Sequence, residues 1–256
     1  MSTAGSGKPQ ILVPEWPGLP ASVHALCTTR CGGVSAGPYG GMDGGLNLGA
    51  HVGDAPEAVA ANRALLRRLL PAEPAWLSQV HGARVVDACA AQGVPEADAA
   101  VADRPGVVCA IMTADCLPVL FSDAGGRVVG AAHAGWRGLA GGVLENTLAR
   151  MRDAGAQAVS AWMGPAIGPE RFEVGDDVRQ AFVAAAASDQ DAFAAIEGKP
   201  GKYLADIYAL ARRRLARAGA VAVHGGGFCT VEDRDRFYSY RRDGVTGRMA
   251  ALIWFD

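Results

Sequence analysis

The chain has 256 residues, of which half are apolar and a fifth are charged; this composition is typical of a globular protein and excludes intrinsic disorder. Lysine and arginine number 24 and aspartate and glutamate 26, and the net charge of −2 argues against binding of nucleic acid through a broad basic surface. Six cysteines are too few for a disulfide scaffold, and no apolar run is long enough for a secretory signal or a membrane span, so we expect a cytoplasmic protein with reduced thiols.

Strands are predicted where short apolar runs end at turn residues. In chain order they span residues 23–28, 76–80, 84–88, 107–112, 117–122, 127–133, 159–163, 221–224 and 249–255. Helices are predicted where apolar residues recur at helical spacing. In chain order they span residues 55–70, 139–153, 176–187 and 203–218. Asp54 is the predicted N-cap of the first helix, and Pro71 is expected to end it.

Strands and helices follow one another without a regular βαβα alternation. We therefore predict an α+β fold, in which mixed β-sheets are layered with flanking helices. Residues 1–10 are expected to form a mobile N-terminal tail, and residues 11–256 a single catalytic domain. The glycine-rich segment 30–49 is predicted to be irregular.

Three residues at predicted strand ends carry side chains suited to chemistry: His81, Cys116 and His133. Side chains at strand ends next to glycine are exposed on a rigid scaffold. Two imidazoles and one thiolate suit zinc, and three protein ligands leave the fourth position open for water or substrate. The spacing alone leaves open that the three side chains never meet and that Cys116 is buried for packing.

Six segments carry a resemblance to a known family. They read TTRCGGVSAGPYGGMDGGLNLGAHVGD, LSQVHGARVV, TADCLPVLF, AAHAGWRG, WMGPAIGP and FCTVEDRDRFYSYRRDGVTGRMAALI. With these segments in this order, the chain resembles the bacterial laccase-domain family, also called polyphenol oxidase-like or peptidoglycan-editing-factor-like. The resemblance implies one domain of mixed sheets with flanking helices, and a zinc ion held by His81, Cys116 and His133.

The resemblance also implies an activity. Enzymes of this family are described as purine nucleoside phosphorylases that convert adenosine, inosine or S-methyl-5′-thioadenosine and phosphate to the free base and the sugar 1-phosphate. They also deaminate adenosine, and a metal ion that activates water suits attack at C6 of adenine. The expected partners are therefore a small nucleoside and phosphate, without nucleic acid or membrane. Cys116 and His133 are the expected catalytic residues.

Other polar residues are candidates for the proton and the nucleoside. Asp115, the carboxylate nearest to Cys116 in sequence, is a candidate proton shuttle, although turning the loop is an equal role for it. Asn47 is a candidate hydrogen-bond partner of the substrate or a support for its own loop. His51 follows the glycine-rich segment and is a candidate for the wall of the pocket.

Phosphorolysis requires an anion site. Arg30, with the amides of Gly32 and Gly33, is one candidate, because glycine permits close backbone approach and arginine offers two parallel donors. Arg137 is a second candidate. Arg63 is a third, although its position within a predicted helix is equally compatible with a solvent-facing side chain.

Three other functions remain open. A copper-dependent polyphenol oxidase is one, because two histidines and a cysteine also suit copper; five histidines in total are few for a multicopper centre. A cysteine hydrolase that edits peptidoglycan precursors is another, with Cys116 as nucleophile and His133 as base. The third is a non-enzymatic module that binds a nucleoside or a partner through the glycine-rich segment.

Overall fold

Three β-sheets and six α-helices form the part of the protein that its computed structural model describes, residues 7–256. The largest sheet consists, in spatial order, of β13 (Ala222–Gly225), β9 (Val159–Met163), β7 (Leu117–Asp123), β8 (Val129–Ala134), β5 (Ala99–Ala102) and β4 (Val85–Asp87). A four-stranded sheet consists of β1 (Ile11–Leu12), β2 (Val23–Thr28), β14 (Met249–Phe255) and β6 (Cys109–Thr113). The three-stranded sheet consists of β10 (Glu173–Gly175), β12 (Lys202–Ala205) and β11 (Phe193–Ala195).

The helices surround these sheets. They are α1 (Pro56–Arg67), α2 (Trp136–Ala140), α3 (Val143–Asp153), α4 (Asp176–Val183), α5 (Ile207–Arg217) and α6 (Tyr240–Asp243), with short 3-10 helices at Gly37–Tyr39 and Ala187–Ala192. The six-stranded sheet combines parallel and antiparallel pairs. Mixed sheets with flanking helices confirm the predicted α+β class.

The six-stranded sheet is buried on both faces. Along β7, Val119 and Phe121 pack into the core shared with α3 and α5, whereas Leu120 packs into a second core with Ile111 and Ile253 of the four-stranded sheet. This alternation follows from the two-residue period of a strand. Strands buried on both faces read as continuous apolar runs, which explains why β7 was visible in the sequence.

The four-stranded sheet separates this second core from a third. Leu26 and Leu252 point away from the six-stranded sheet and pack with Leu66 of α1 and with Trp76. The layers are thus helices, six-stranded sheet, four-stranded sheet and α1, which places α1 and the segment around Trp76 on one side of the molecule. None of the helices within residues 7–256 combines the length and the apolar character that a membrane crossing requires.

The glycine-rich segment 30–49 is more regular than predicted. It contains a further strand, β3 (Cys31–Ser35), which forms isolated bridges with Gly45. A Cβ on Gly45 would lie 1.7 Å from the carbonyl oxygen of Tyr39, so glycine here permits backbone packing rather than irregular structure. Of the predicted tail, residues 1–6 lie outside the described part of the chain, whereas Gln10 exchanges backbone hydrogen bonds with Thr29 and Cys31.

All four predicted helices are shortened or interrupted: α1 ends at Arg67 and α4 at Val183, before their predicted ends at residues 70 and 187. The helix predicted at 139–153 is the pair α2 and α3, because Gly142 adopts φ 91°, a left-handed value that ends a helix. The helix predicted at 203–218 begins only at Ile207, after the N-cap Asp206 accepts a hydrogen bond from the Ala209 amide. The first helix is capped at Ala55 rather than at Asp54.

The predicted strand at 76–80 is not formed, because that segment contains only an isolated bridge at Ser78. Six strands were not predicted: β1, β3, β5, β10, β11 and β12, the last of which occupies the start of the helix predicted at 203–218. Of these, β5 was missed because it reads AAVA, and alanine has a low strand propensity. Burial between β4 and β8 favours the extended backbone there despite that propensity.

Candidate metal centre and cavity

The three predicted metal ligands meet in space. One donor atom from each of His81, Cys116 and His133 lies within 4.8 Å of the other two. The Cys116 sulfur is 3.8 Å from His81 Nε2, and the two imidazole rings are edge-on, with centroids 4.8 Å apart. His133 is buried, Cys116 is half-buried and His81 is exposed. The cluster therefore extends from the protein interior to the surface.

Strand pairing explains why two of these residues are neighbours. Strands β7 and β8 are antiparallel, with Pro118 opposite His133. Cys116 immediately precedes β7, so it lies beside the end of β8 that carries His133. The chain crosses from the four-stranded sheet to the six-stranded sheet between β6 and β7, and Asp115 makes this turn with a left-handed φ of 93°.

Asp98, a buried carboxylate that the sequence analysis missed, holds the side chain of His133 and the backbone of His81. Asp98 Oδ1 accepts hydrogen bonds from the His81 amide at 2.9 Å and from His133 Nδ1 at 2.8 Å, and Oδ2 accepts from the Val80 and Gly82 amides. His81 has a left-handed φ of 61°, which is strained for a residue with a side chain. Asp98 thus stabilises the backbone at His81. Because it also bonds Nδ1 of His133, Nε2 is the nitrogen of that ring that could bind a metal ion.

The charges at the cluster favour a thiolate. Burial alone would raise the pKa of Cys116, but the charge of His133 and hydrogen bonds from both histidines lower it below the usual value of a thiol. Burial likewise opposes the positive charge on His133, yet Cys116 and Asp98 raise the pKa of its imidazole. A thiolate is the form of cysteine that binds metal ions and attacks electrophiles.

The cluster fits a transition-metal ion. Its donors are one sulfur and two imidazole nitrogens, the ligand types that zinc and copper bind. Gly135 borders this space: a Cβ there would lie 2.9 Å from the Cys116 sulfur and 3.1 Å from His81 Cδ2. The absence of a side chain at Gly135 therefore keeps the surroundings of the donor atoms open.

All three donors line one cavity of about 770 Å³. Pockets for small organic ligands commonly measure about 300–1,000 Å³. Trp76, Met112 and Tyr240 supply apolar wall. Gln79 also lines it, but both ends of its amide are bonded to the backbone of Met112. The cavity is therefore large enough for a nucleoside, and part of its wall is apolar.

The structure places Arg63 and His51 on the wall of this cavity, together with Arg248, which the sequence analysis did not single out. Asn47 is fully buried outside it. Its side chain donates to Gly49 and Asp54 and accepts from the Gly49 and Arg248 amides, so it supports the loop that carries Arg248.

The donors of the predicted phosphate cradle at Arg30 bond to backbone carbonyls. The amides of Gly32 and Gly33 both donate to the Gly44 carbonyl. The guanidinium of Arg30 donates to the carbonyls of Gly40 and Arg234. Arg30 borders a separate depression of about 470 Å³, which none of the three metal-ligand candidates lines. These donors are occupied by the protein's own backbone.

Asp115 and Arg137 also lie outside the wall of the large cavity. Asp115 Oδ1 accepts from the Thr230 hydroxyl and Oδ2 from the Arg241 amide, so both carboxylate oxygens brace the loop before Cys116. This arrangement corresponds to the loop-turning alternative. Arg137 is exposed and lies over the ring of Trp136, 4.4 Å from its centroid.

Comparison with known proteins places this geometry in a family. A family model described as multi-copper polyphenol oxidoreductase laccase matches residues 24–256. The chain belongs to this family. Among curated members of the laccase-domain family, one from Pseudomonas aeruginosa is 55% identical over 96% of this chain and 98% of its own length, and is named a purine nucleoside phosphorylase. Escherichia coli YfiH, named likewise, is 51% identical over 96% of this chain and 98% of its own length.

Solved structures of the laccase-domain family share the fold. A Neisseria meningitidis protein superposes with a TM-score of 0.89 at 53% identity, covering 96% of this chain and 99% of that one. YlmD from Geobacillus stearothermophilus superposes with a TM-score of 0.83 at 32% identity, covering 94% of both chains. The resemblance noted in the sequence is thus confirmed, and the protein is an enzyme of this family.

Proposed function

We propose that the protein is a zinc-dependent purine nucleoside phosphorylase that also deaminates adenosine. The observation that carries the proposal is the convergence of His81, Cys116 and His133 on one cavity of nucleoside size, in a chain about half identical to relatives named purine nucleoside phosphorylases. The phosphorylase substrates would be adenosine, inosine and S-methyl-5′-thioadenosine. Small molecules are then the expected partners, and the cytoplasm the expected location.

The metal would be held by His81 Nε2, the Cys116 sulfur and His133 Nε2. When bound, zinc with three protein ligands supplies a Lewis acid that polarises substrate or lowers the pKa of water. The family name implies several copper ions. Within residues 7–256, however, the one other cluster of potential metal ligands, Asp87, Cys89 and Asp103, contains no histidine. One zinc ion at the His–Cys–His cluster is therefore the simpler proposal.

The protein's own residues have separate tasks in this proposal. Asp98 fixes the ring of His133 and the backbone of His81, so that both nitrogens face the cavity without reorganisation. Trp76 and Met112 contribute an apolar wall against which the purine packs and from which it displaces water. In deamination, water adds at C6 of adenine and ammonia leaves, which converts adenosine to inosine.

A cysteine hydrolase is the second candidate function, because the lowered pKa of Cys116 beside His133 favours an activated nucleophile. Such an enzyme would act on peptidoglycan precursors. Removal of bound metal by a chelator separates the two functions. A zinc-dependent phosphorylase loses activity when the chelator removes its metal and regains activity when zinc is added. A cysteine hydrolase keeps its activity throughout.

The direct test incubates zinc-loaded protein with inosine and phosphate and measures hypoxanthine and ribose 1-phosphate. We expect equal amounts of both products from the wild type and none above background from His81→Ala. The matched control is His224→Ala, since His224 lies on β13 and lines none of the cavities described above. Absence of both products with the wild type, or equal rates in His81→Ala, would contradict the proposal.

A further inference from the structure

One region of the large cavity is lined by basic side chains and by no carboxylate of the described residues. Arg63, Arg248 and His51 all line it, and no aspartate or glutamate does. Among residues 7–256, the side-chain hydrogen bonds of both arginines go only to backbone carbonyls. We propose that Arg63 and Arg248, with His51 beside them, form the phosphate-binding subsite of the enzyme. This inference rests on the proposed function and replaces the cradle at Arg30.

Arg63 is held in place with its terminal nitrogens free. It lies on α1, its Nε donates to the Leu48 carbonyl at 3.0 Å, and its guanidinium lies 4.4 Å from the centroid of the Trp76 ring. Nη1 and Nη2 have no hydrogen-bond partner among the described residues. A guanidinium fixed by one donor and by stacking loses little entropy when its two remaining nitrogens bind an anion.

Arg248 is held in a similar way from a different element. It immediately precedes β14, and its Nη1 donates to the carbonyls of Thr246 and Gly247. A Cβ on Gly49 would lie 2.8 Å from Arg248 Cγ, so the glycine leaves room for this side chain. Nε and Nη2 remain without partners in the part of the chain that the structure describes. Two arginines therefore offer four free donor nitrogens to one cavity.

The charges of these groups act on one another. Burial, followed by the charges of Arg248 and Arg63, lowers the pKa of His51. Burial also lowers the pKa of both arginines. The charge of Glu73 partly raises the pKa of Arg63 again. The charges of Cys116 and Asp115 do the same for Arg248. Glu73 itself accepts a hydrogen bond from Trp76. A bound dianion would offset this crowding of positive charge, and arginine pairs are a common means of binding phosphate.

An electrostatic interaction between Cys116 and Arg248 connects the subsite to the His–Cys–His cluster. Cys116 lies close enough to act electrostatically on Arg248, and both line the same cavity. Phosphate on the arginines would therefore share the cavity with a nucleoside near the cluster. In the reaction, a phosphate oxygen bonds to C1′ and the C1′–N9 bond breaks. The electron pair of that bond leaves with the purine, and the proton of hydrogen phosphate ends on a purine nitrogen.

Steady-state kinetics of the zinc-loaded enzyme test the subsite. In Arg248→Gln and in Arg63→Gln we expect KM for phosphate to rise about 10- to 100-fold, the range for loss of a charged hydrogen bond. Adenosine deamination consumes water and no phosphate, so we expect its kcat/KM to fall much less than that of phosphorolysis in both variants, with the zinc content unchanged. Arg104→Gln is the control, since Arg104 is exposed and lines none of the described cavities.

An unchanged KM for phosphate in both variants would overturn the inference, and so would an equal loss of deamination and phosphorolysis. Failure of the proposed function is distinguishable, because the wild type itself would then show no phosphorolysis. Calorimetric titration of the zinc-loaded protein with inorganic phosphate decides the subsite in that case. Binding that is weakened in Arg248→Gln supports it, and no binding to the wild type overturns it.

Discussion

Arg30 and the pair Arg63 and Arg248 lie in two regions of the molecule and differ in how their guanidinium groups are bonded. Every guanidinium nitrogen of Arg30 donates to a backbone carbonyl, and the group also lies 4.9 Å from the centroid of the Tyr238 ring. Among the described residues, Arg63 and Arg248 each bond through one guanidinium nitrogen and leave two without a partner, and both line the cavity of His81, Cys116 and His133. The proposed phosphate subsite therefore depends on donors that folding leaves unbonded, and not on residue type alone.

Glycines beside Arg30 and beside the His–Cys–His cluster also differ in what they permit. Gly32 would place a Cβ 2.0 Å from the carbonyl oxygen of Lys8, so it permits one backbone segment to pack on another. Gly135 would place a Cβ against Cys116 and His81 and therefore keeps the ligand site open. Residues around Arg30 are thus expected to affect stability alone, and residues around the cavity to affect binding.

The largest effect that separates the two regions is expected at Asp98. Asp98→Asn should weaken zinc binding about 10- to 100-fold, because the amide no longer holds both His133 and the His81 backbone. It should also reduce the free energy of unfolding by about 3 kcal/mol, the lower end for breaking a buried charged pair. Zinc affinity from competition with a chelator and denaturant unfolding measure the two effects.

A second buried carboxylate provides the matched control. Asp123 accepts hydrogen bonds from the amides of Gly125, Arg127 and Val128 in the turn between β7 and β8, away from the cavity. Asp123→Asn is expected to lose comparable stability with zinc affinity unchanged. If both variants bind zinc like the wild type, Asp98 has no role in positioning the metal ligands.

The next effect is expected at Arg30. Arg30→Ala removes hydrogen bonds to the carbonyls of Gly40 and Arg234 and the contact with the Tyr238 ring, so we expect the free energy of unfolding to fall by about 2 kcal/mol. KM for phosphate should stay within about twofold, the reverse of the pattern expected for Arg248→Gln. A large rise in KM at unchanged stability would restore the anion site to the Arg30 loop.

The smallest effect is expected at Arg137. Its side chain is exposed and contacts the ring of Trp136, so Arg137→Ala should change the free energy of unfolding by less than about 0.5 kcal/mol. KM for phosphate and zinc content should match the wild type. A selective rise in KM would show that this arginine reaches the substrate in solution.

The sequence was informative where a local pattern determines the outcome. Strands β2, β9 and β14 have the predicted bounds, because short runs rich in apolar residues and bounded by turn residues specify strands. His81, Cys116 and His133 meet in space as expected, since each lies in a motif of the family, although His81 does not follow a regular strand.

Residues whose role depends on tertiary contacts were not predictable. Asp98 lies in an alanine-rich segment, and its position before β5 gave no indication of four N–H donors from two other segments. Nothing in the sequence distinguishes Arg248 from the other arginines near the C-terminus. Its place in the cavity wall depends on a tertiary contact, the hydrogen bond from its amide to Asn47. The one sequence feature that could have identified Asp98 as a candidate is that a charged residue directly precedes a run of apolar residues, Ala99–Ala102.

The central claim is that one metal ion on His81, Cys116 and His133 is required for turnover. The most direct measurement titrates chelator-stripped, folded protein with zinc and follows inosine phosphorolysis together with bound zinc per chain. We expect activity to rise in proportion to bound zinc and to saturate at one equivalent per chain. Cys116→Ser is expected to show neither activity nor bound zinc. Full activity of the stripped protein, or zinc bound equally well by Cys116→Ser, would contradict it.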